Sequence, residues 1–185
     1  MKVPSIAVRR KGRRFTADAL LDLPADARTV WDTITDYDGL SGFMPGIRAC
    51  RVLERHAEKQ GVERLLVEQQ GEFRMLLFAQ SMTVRLQIEH RPFQSAIATA
   101  LSVQLGLLRG RAIESFEGRY ELAPGGTHRG QPHTRLRYSA SIGLRLPPPP
   151  AVGSLAVRQN LAAQLEAVGR EVVRRSGVPV HEPAA

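Results

Sequence analysis

The chain has 185 residues, of which 43% are hydrophobic and 24% are charged, a composition typical of one folded domain with a sizeable core. It has a single cysteine, Cys50, which excludes an intrachain disulfide and a zinc site built from several cysteines. No apolar run in the sequence reaches the ~18–20 residues that a membrane-spanning helix needs.

The net charge of +8 at pH 7 is concentrated at the N-terminus. Residues 1–14 hold six basic side chains and no acidic one, whereas residues 15–185 hold 20 basic and 18 acidic ones. This distribution argues against a nucleic-acid-binding face spread over a whole domain. It predicts a basic N-terminal arm (1–12), a domain (13–176) and a flexible tail (177–185). A secretory signal requires an apolar segment after its basic residues, and none follows here. We therefore expect a cytoplasmic location, including the periphery of the inner membrane face.

A strand and two short helical segments are predicted first. Residues 14–23 favour a strand, and Pro24 with Asp26 then favours the start of a helix. The apolar side chains of this helix form one stripe, at Ala27, Val30, Trp31 and Ile34. A second short segment contains Leu40, Phe43 and Met44 and stops at Pro45-Gly46.

The pattern changes to a period of two between residues 47 and 146, which indicates half-buried strands. In the clearest example, one face carries Met82, Val84, Leu86 and Ile88. The predicted strands lie near residues 47–56, 62–71, 81–89, 95–105, 116–122 and 135–144, with the position of the turn inside 71–80 left open. Each has one apolar face, so we expect an antiparallel sheet that is covered on one side only.

A long C-terminal helix is predicted after four consecutive prolines. Within residues 151–175, apolar side chains recur every three or four positions, at Val157, Leu161, Leu165, Val168 and Val172. A sheet with an apolar concave face needs a cover, and this helix is the only long amphipathic element left. The predicted fold is α+β: a curved antiparallel sheet of about seven strands wrapped around the C-terminal helix, with two short helices after the first strand.

Several stretches in this order resemble a known family. They are residues 23–26, 30–32, 36–38 and 43–47, then Phe116–Leu122, Thr134–Tyr138 and Leu165–Val168. Together they make the chain similar to the START-like superfamily, also called SRPBCC or Bet v 1-like, over residues 13–176. The resemblance is to its polyketide cyclase/dehydrase and coenzyme-Q-binding branch. It implies the helix-grip fold and a hydrophobic ligand held between sheet and last helix. Some members are aromatase/cyclases, some bind quinones or other lipids, and some associate with ribosomes.

The inward faces of the predicted strands are apolar with a few polar groups, as ligand pockets are. Tyr120 and Tyr138 belong to inward series, and so does Gln69. A buried tyrosine can also direct its hydroxyl to a protein partner, and that alternative stays open. The pattern predicts that Phe43 and Met44 belong either to a lid over the ligand or to the core. Trp31 is predicted to pack in the core rather than to contact a ligand. The candidate ligand-binding residues are Gln69, Phe78, Gln80, Met82, Tyr120, Tyr138, Phe43, Met44 and Leu165.

No catalytic residue is predicted. The inward faces contain no Asp, Glu or His by this interpretation, because strand acids such as Glu68 and Glu117 fall on outward series. The histidines are placed in turns or tails, at His56, His90, His128, His133 and His181. Neither a metal site nor a cofactor is expected. Catalysis stays open, because a cyclase that folds a reactive poly-ketone chain needs little more than shape and a hydroxyl donor.

We therefore expect a binding or carrier protein for a hydrophobic small molecule, such as a quinone, a lipid or a polyketide. A polyketide aromatase/cyclase and a ribosome- or RNA-associated module are the alternatives. The basic arm has three interpretations: a solvated tail, a contact with anionic lipid headgroups, or a contact with RNA. Nucleic acid is the less favoured partner, because Phe15 is the only aromatic residue near the arm that could stack on bases.

Overall fold

A computed structural model describes residues 5–58, 61–75, 78–105, 113–128, 130–145 and 150–177, with backbone alone at 73–75, 78–80, 105, 150 and 151. The strands are β1 (Ser5–Lys11), β2 (Arg14–Leu23), β3 (Ile47–Ala57), β4 (Glu63–Met75), β5 (Phe78–Arg91), β6 (Ser95–Leu105), β7 (Ile113–His128) and β8 (Gln131–Leu144). The helices are α1 (Ala27–Ile34) and α2 (Pro150–Ser176), with a 3₁₀ helix at Leu40–Gly42 between α1 and β3.

The eight described strands form one antiparallel sheet in the order β1-β2-β8-β7-β6-β5-β4-β3. Strands β1 and β3 are its edges, so the sheet is open. Helix α2 contacts β1, β2, β4 and α1, and thus lies across the sheet. The predicted α+β, helix-grip architecture is confirmed. The strand count is one higher than predicted.

The alternating pattern produces the strands and the core together. Every second residue of β2 is buried, from Phe15 to Leu23, and the row from Ala17 to Leu23 shares one core with Leu136 of β8 and Leu165 of α2. Helix α1 begins at Ala27, three residues after Pro24, because Asp26 caps it from outside: its side chain accepts a hydrogen bond from the Thr29 backbone N–H at 2.8 Å. Trp31 lies in this core, as the stripe on α1 indicates.

The N-terminus differs from the predicted arm. Residues 5–11 form edge strand β1, which pairs with β2 from Ser5↔Leu20 to Lys11↔Arg14. Ile6 and Val8 pack against the core, and the intervening side chains are exposed. Two apolar residues are too few to indicate a strand in a segment dominated by basic residues. The strand forms because the otherwise free edge of β2 supplies backbone hydrogen-bond partners. The basic residues 9–14 therefore form a strand-turn-strand unit, called the basic hairpin below.

Strand bounds also correct the positions of the histidines. His56, His128 and His133 lie in β3, β7 and β8, and His90 lies in β5 with 3% of its surface exposed. His181 is outside the described residues. The turn left open between residues 71 and 80 falls after Met75 and before Phe78. The strands are longer than their apolar runs, because backbone pairing continues beyond the last buried side chain.

Candidate functional site

A cavity of about 280 Å³ lies between the concave face of the sheet and the N-terminal half of α2. Pockets for small ligands typically measure about 300–1,000 Å³, so this one suits a small molecule or one part of a longer one. Its wall is mostly apolar. It includes Met82, Val84, Leu86 and Ile88 of β5, Phe116, Gly118 and Tyr120 of β7, Tyr138, Ala140 and Ile142 of β8, and Val157, Asn160, Leu161 and Gln164 of α2.

The cavity has two chemically different ends. Register pairs Phe116 with Ile142 at one end and Tyr120 with Tyr138 at the other. The two levels are four residues apart on each strand, about 13 Å at 3.3 Å per residue. The isoleucine end also includes Ile113, and the tyrosine end carries the two phenols.

Tyr120 and Tyr138 form a pair at the tyrosine end, with ring centroids 4.7 Å apart. Burial raises the pKa of Tyr138 to about 12, and burial followed by the neighbouring Tyr138 raises the pKa of Tyr120 further. Both phenols are therefore neutral near pH 7. Neither hydroxyl has a hydrogen-bond partner among the described residues. They are left as donors or acceptors for a molecule in the cavity.

A buried chain of polar groups adjoins the same end. The Tyr37 hydroxyl and Nε2 of His90 are 2.6 Å apart, and Nδ1 of His90 is 3.7 Å from Oε2 of Glu63. Tyr37 lines the cavity. Glu63 and His90 are direct partners across β4 and β5, and the Trp31 ring meets the His90 ring edge-on at 5.2 Å.

The sequence interpretation missed this chain, although the signal was present. His90 continues the inward series that ends at Ile88, and Glu63 continues the inward series of Leu65 and Val67. The expectation that inward faces carry no acid or histidine is therefore wrong. Arg91-Pro92 suggests a turn, and the predicted strand therefore ends at residue 89, two residues before the end of β5. Glu72, another acid, also borders the cavity and pairs with Arg48.

A close backbone contact shapes the wall beside β4. The Glu72 backbone N–H donates to the Gly46 carbonyl oxygen at 2.8 Å, which brings the segment before β3 onto β4. Gly46 has a φ of +84°, and a Cβ on Gly71 would collide with the Gly46 carbonyl oxygen. Met44, two residues before Gly46, lies on the wall beside this contact.

An ionic cluster fastens α2 to the loop after α1. The Arg175 guanidinium binds Asp36 and Glu171, each at 2.7 Å, and lies 5.8 Å from the centroid of the Phe43 ring. Arg174 also binds Glu171, at 2.7 and 2.8 Å. The cluster thus joins the end of α2 to the segment that contains Tyr37 and Met44.

Most of the predicted contact residues that the structure describes lie on the cavity wall. These are Gln69, Met82, Tyr120, Tyr138 and Met44. Phe43 and Leu165 do not line it: Phe43 packs beneath Arg175, and Leu165 is fully buried in the core. The side chains of Phe78 and Gln80 lie outside the described residues. Ligand contact by any of these residues stays a prediction.

Cys50 lies beside Gln69, and burial raises the pKa of its thiol to about 11. Within the described ranges, no group of three His, Cys, Asp or Glu side chains is arranged to hold a metal ion. In the same ranges, no helix is long and apolar enough to cross a membrane.

A family model described as polyketide cyclase/dehydrase and lipid transport matches residues 23–168. The chain belongs to this family. The START-like resemblance is thereby confirmed, and the family points to a fold that binds hydrophobic ligands. No curated protein matches the sequence.

Solved structures support the same fold at low identity. A START superfamily protein from Mycobacterium smegmatis is 15% identical with a TM-score of 0.67, covering 86% of this chain and 97% of its own. The Zhui aromatase/cyclase from Streptomyces sp. R1128 is 18% identical with a TM-score of 0.63, covering 88% and 95%. This polyketide cyclase/dehydrase family member therefore shares its architecture with a cyclase, at an identity that shows the fold alone.

Proposed function

We propose that this protein binds and carries a hydrophobic small molecule that bears at least one oxygen function, in the cavity between the sheet and α2. A quinone, a lipid with a polar head and a polyketide all belong to this class. The observation that supports the proposal is an apolar wall with two phenol hydroxyls, of Tyr120 and Tyr138, that have no partner among the described residues. An apolar body would fill the isoleucine end, and an oxygen would meet the phenols.

Organic extraction of the purified protein followed by mass spectrometry tests the proposal directly. A second measurement uses the fluorescent apolar probe 1-anilinonaphthalene-8-sulfonate and a variant that fills the cavity. Ala98 lines the cavity on β6, and its neighbour Thr99 is exposed on the opposite face. We expect Ala98→Phe to abolish probe binding and Thr99→Phe to preserve it. An empty extract together with equal probe binding by both variants would overturn the proposal.

Ring closure of a polyketide is the second candidate function. The neutral hydroxyls of Tyr120 and Tyr138 favour it, because they would donate hydrogen bonds to carbonyl oxygens of a folded poly-ketone. Under this alternative, Tyr120→Phe and Tyr138→Phe should slow cyclisation of a poly-ketone substrate while probe binding is retained. Unchanged turnover in the double variant would exclude the role of the two phenols.

The basic hairpin is proposed to dock the protein on an anionic membrane surface, from which an apolar ligand would be collected. Arg9, Lys11 and Arg14 are exposed and form no ion pair with any described residue. Arg13 reaches Glu114 at 3.6 Å, next to Ile113 at the isoleucine end of the cavity. Each basic residue near such a surface contributes about 1 kcal/mol.

Sedimentation with phosphatidylglycerol vesicles tests this docking. Arg9→Gln with Lys11→Gln should reduce the bound fraction. Arg158→Gln with Arg170→Gln, which removes the same charge from exposed positions on α2, should leave it unchanged. Equal binding by the two double variants would contradict docking through the hairpin. Binding to RNA but not to vesicles at the same salt concentration would favour the nucleic-acid alternative.

A further inference from the structure

The buried polar chain of Tyr37, His90 and Glu63 connects the cavity with the protein surface. Tyr37 lines the cavity together with Tyr120. His90, 3% exposed, is enclosed by the rings of Trp31 and Tyr37. At the far end, the side chain of Glu63 is 34% exposed. A proton that enters at Tyr37 therefore has a path to solvent.

The partners decide the direction of the hydrogen bonds. The negative charge of the Glu63 carboxylate, 3.7 Å from Nδ1 of His90, favours a proton on that nitrogen by electrostatic attraction. Nε2 of the neutral imidazole then carries a lone pair and accepts the hydroxyl proton of Tyr37 at 2.6 Å. In this arrangement the Tyr37 oxygen keeps its own lone pairs, which would accept a hydrogen bond from a ligand hydroxyl. A ligand that offers only a carbonyl oxygen would find no proton there.

We propose that Tyr37, His90 and Glu63 form a proton relay that ionises an acidic hydroxyl, a phenol or an enol, on the ligand bound in the cavity. The inference deepens the binding function proposed above and rests on it. The ligand O–H bond breaks and its proton forms an O–H bond with Tyr37, while the original Tyr37 proton forms an N–H bond with Nε2 of His90. The ligand keeps the electron pair as an oxyanion. The imidazolium is balanced by the Glu63 carboxylate, and nothing is oxidised or reduced.

The charged and titratable groups around the relay are compatible with it. Burial lowers the pKa of His90, so the imidazole is neutral near pH 7 before a ligand binds but a weaker base than a free imidazole. Glu63 acts in the opposite direction and favours the imidazolium. Arg55 of β3 binds Glu63 at 3.3 Å and keeps a cation near its outer end. Burial and then Cys50 raise the pKa of Tyr37, so Tyr37 passes a proton on and does not stay ionised.

A pair of small probes separates the relay from simple binding. 4-Nitrophenol has an acidic hydroxyl whose ionised form absorbs at a longer wavelength, and 4-nitroanisole is its methyl ether with no proton to give. In an apolar cavity without a relay, burial would raise the pKa of the phenol. With the relay, the ratio of phenolate to phenol should be at least about tenfold higher when bound than when free at the same pH, a fall of one pKa unit.

Two variants and one matched control complete the experiment. His90→Gln should still bind both probes, as equilibrium dialysis measures, but leave 4-nitrophenol neutral. Tyr37→Phe, which keeps the ring, should give the same result and serves if His90→Gln does not fold. The control is His56→Gln, because His56 also lies 3.3 Å from a glutamate, Glu54, but is 68% exposed on β3. It should retain the full ionisation.

Each outcome decides the proposal. Ionisation in the wild type and in His56→Gln, lost in His90→Gln or Tyr37→Phe, supports the relay. If 4-nitroanisole binds and bound 4-nitrophenol stays neutral in the wild type, the relay is wrong and the binding function stands. Ionisation that persists in both relay variants also overturns it. If neither probe enters the cavity, the relay falls together with the binding function on which it rests.

Discussion

Glu171 provides a direct measure of how firmly α2 is held over the cavity. Its carboxylate accepts hydrogen bonds from Arg174 and Arg175, and these hold its pKa at about 2 against an ordinary value of 4.5. At about 1.36 kcal/mol per pKa unit, the shift corresponds to about 3 kcal/mol. The side chain of Arg174 is 71% exposed, so solvent screening reduces the expected contribution to about 2 kcal/mol.

The substitution Glu171→Gln removes the charge at nearly constant volume and leaves Arg175 its bond to Asp36. We expect the free energy of unfolding to fall by about 2 kcal/mol at pH 7. A carboxyl whose pKa is lowered in the folded state stabilises it above the ordinary pKa, and this stabilisation is lost as the pH falls from about 4.5 towards 2. The difference between the variant and the wild type should therefore shrink steadily over that range.

Urea unfolding followed by the fluorescence of Trp31, the chain's single tryptophan, measures this difference between pH 7 and pH 3. Glu166→Gln is the matched control on the same helix, because Glu166 meets Arg170 only at 3.9 Å and both side chains are exposed. Its effect should stay below about 0.5 kcal/mol. A loss in Glu171→Gln that is as large at pH 3 as at pH 7 would refute the electrostatic reasoning and indicate lost packing.

Three further predictions follow from local geometry. A methyl group at Gly118 would stand 3.1 Å from the Tyr138 hydroxyl, so Gly118→Ala should weaken binding of 1-anilinonaphthalene-8-sulfonate; unchanged affinity in a fluorescence titration would contradict the position of Tyr138. Asp26→Ala should lower the free energy of unfolding in urea by about 1 kcal/mol through loss of the cap on Thr29, and a neutral result would mean that the cap is replaced. With its thiol pKa near 11, Cys50 should react with a disulfide reagent at pH 8 about a hundredfold more slowly in the folded chain than in urea; equal rates would show an open site.

Period-two alternation was enough to predict the sheet and its inner face. Met82, Val84, Leu86 and Ile88 line the cavity because each strand places successive side chains on opposite faces, whatever the tertiary details. For the same reason Tyr120 and Tyr138 were expected on inward faces, and their pairing then follows from the register between β7 and β8.

The parts that the sequence did not reveal depend on where strands end and which elements meet. The sequence places His90 in a turn because Pro92 follows it closely. Its hydrogen bond with Tyr37 joins residues that are 53 positions apart in the chain, and no local sequence pattern predicts such a contact. β1 was hidden because its apolar side chains occupy only one face of a short, highly charged segment. Leu165 is predicted to contact the ligand but lies in the core, because the apolar stripe of α2 faces the cavity at Val157 and Leu161 and the packed core at Leu165.

The open sheet has a consequence for how copies of the chain behave towards one another. Its edge strands present backbone N–H and C=O groups that another strand could pair with, the usual route to edge-to-edge aggregation. Arg9 and Lys11 project from β1 at one edge, while Arg51 and Arg55 project from β3 at the other, where two register shifts also bend the strand. At the β1 edge, where Arg9 and Lys11 form no ion pair with a described residue, two copies would repel each other, whereas Arg51 and Arg55 at the β3 edge are paired with Glu68 and Glu63. High salt, which shortens the range of that repulsion to about 3 Å at 1 M, would remove the protection.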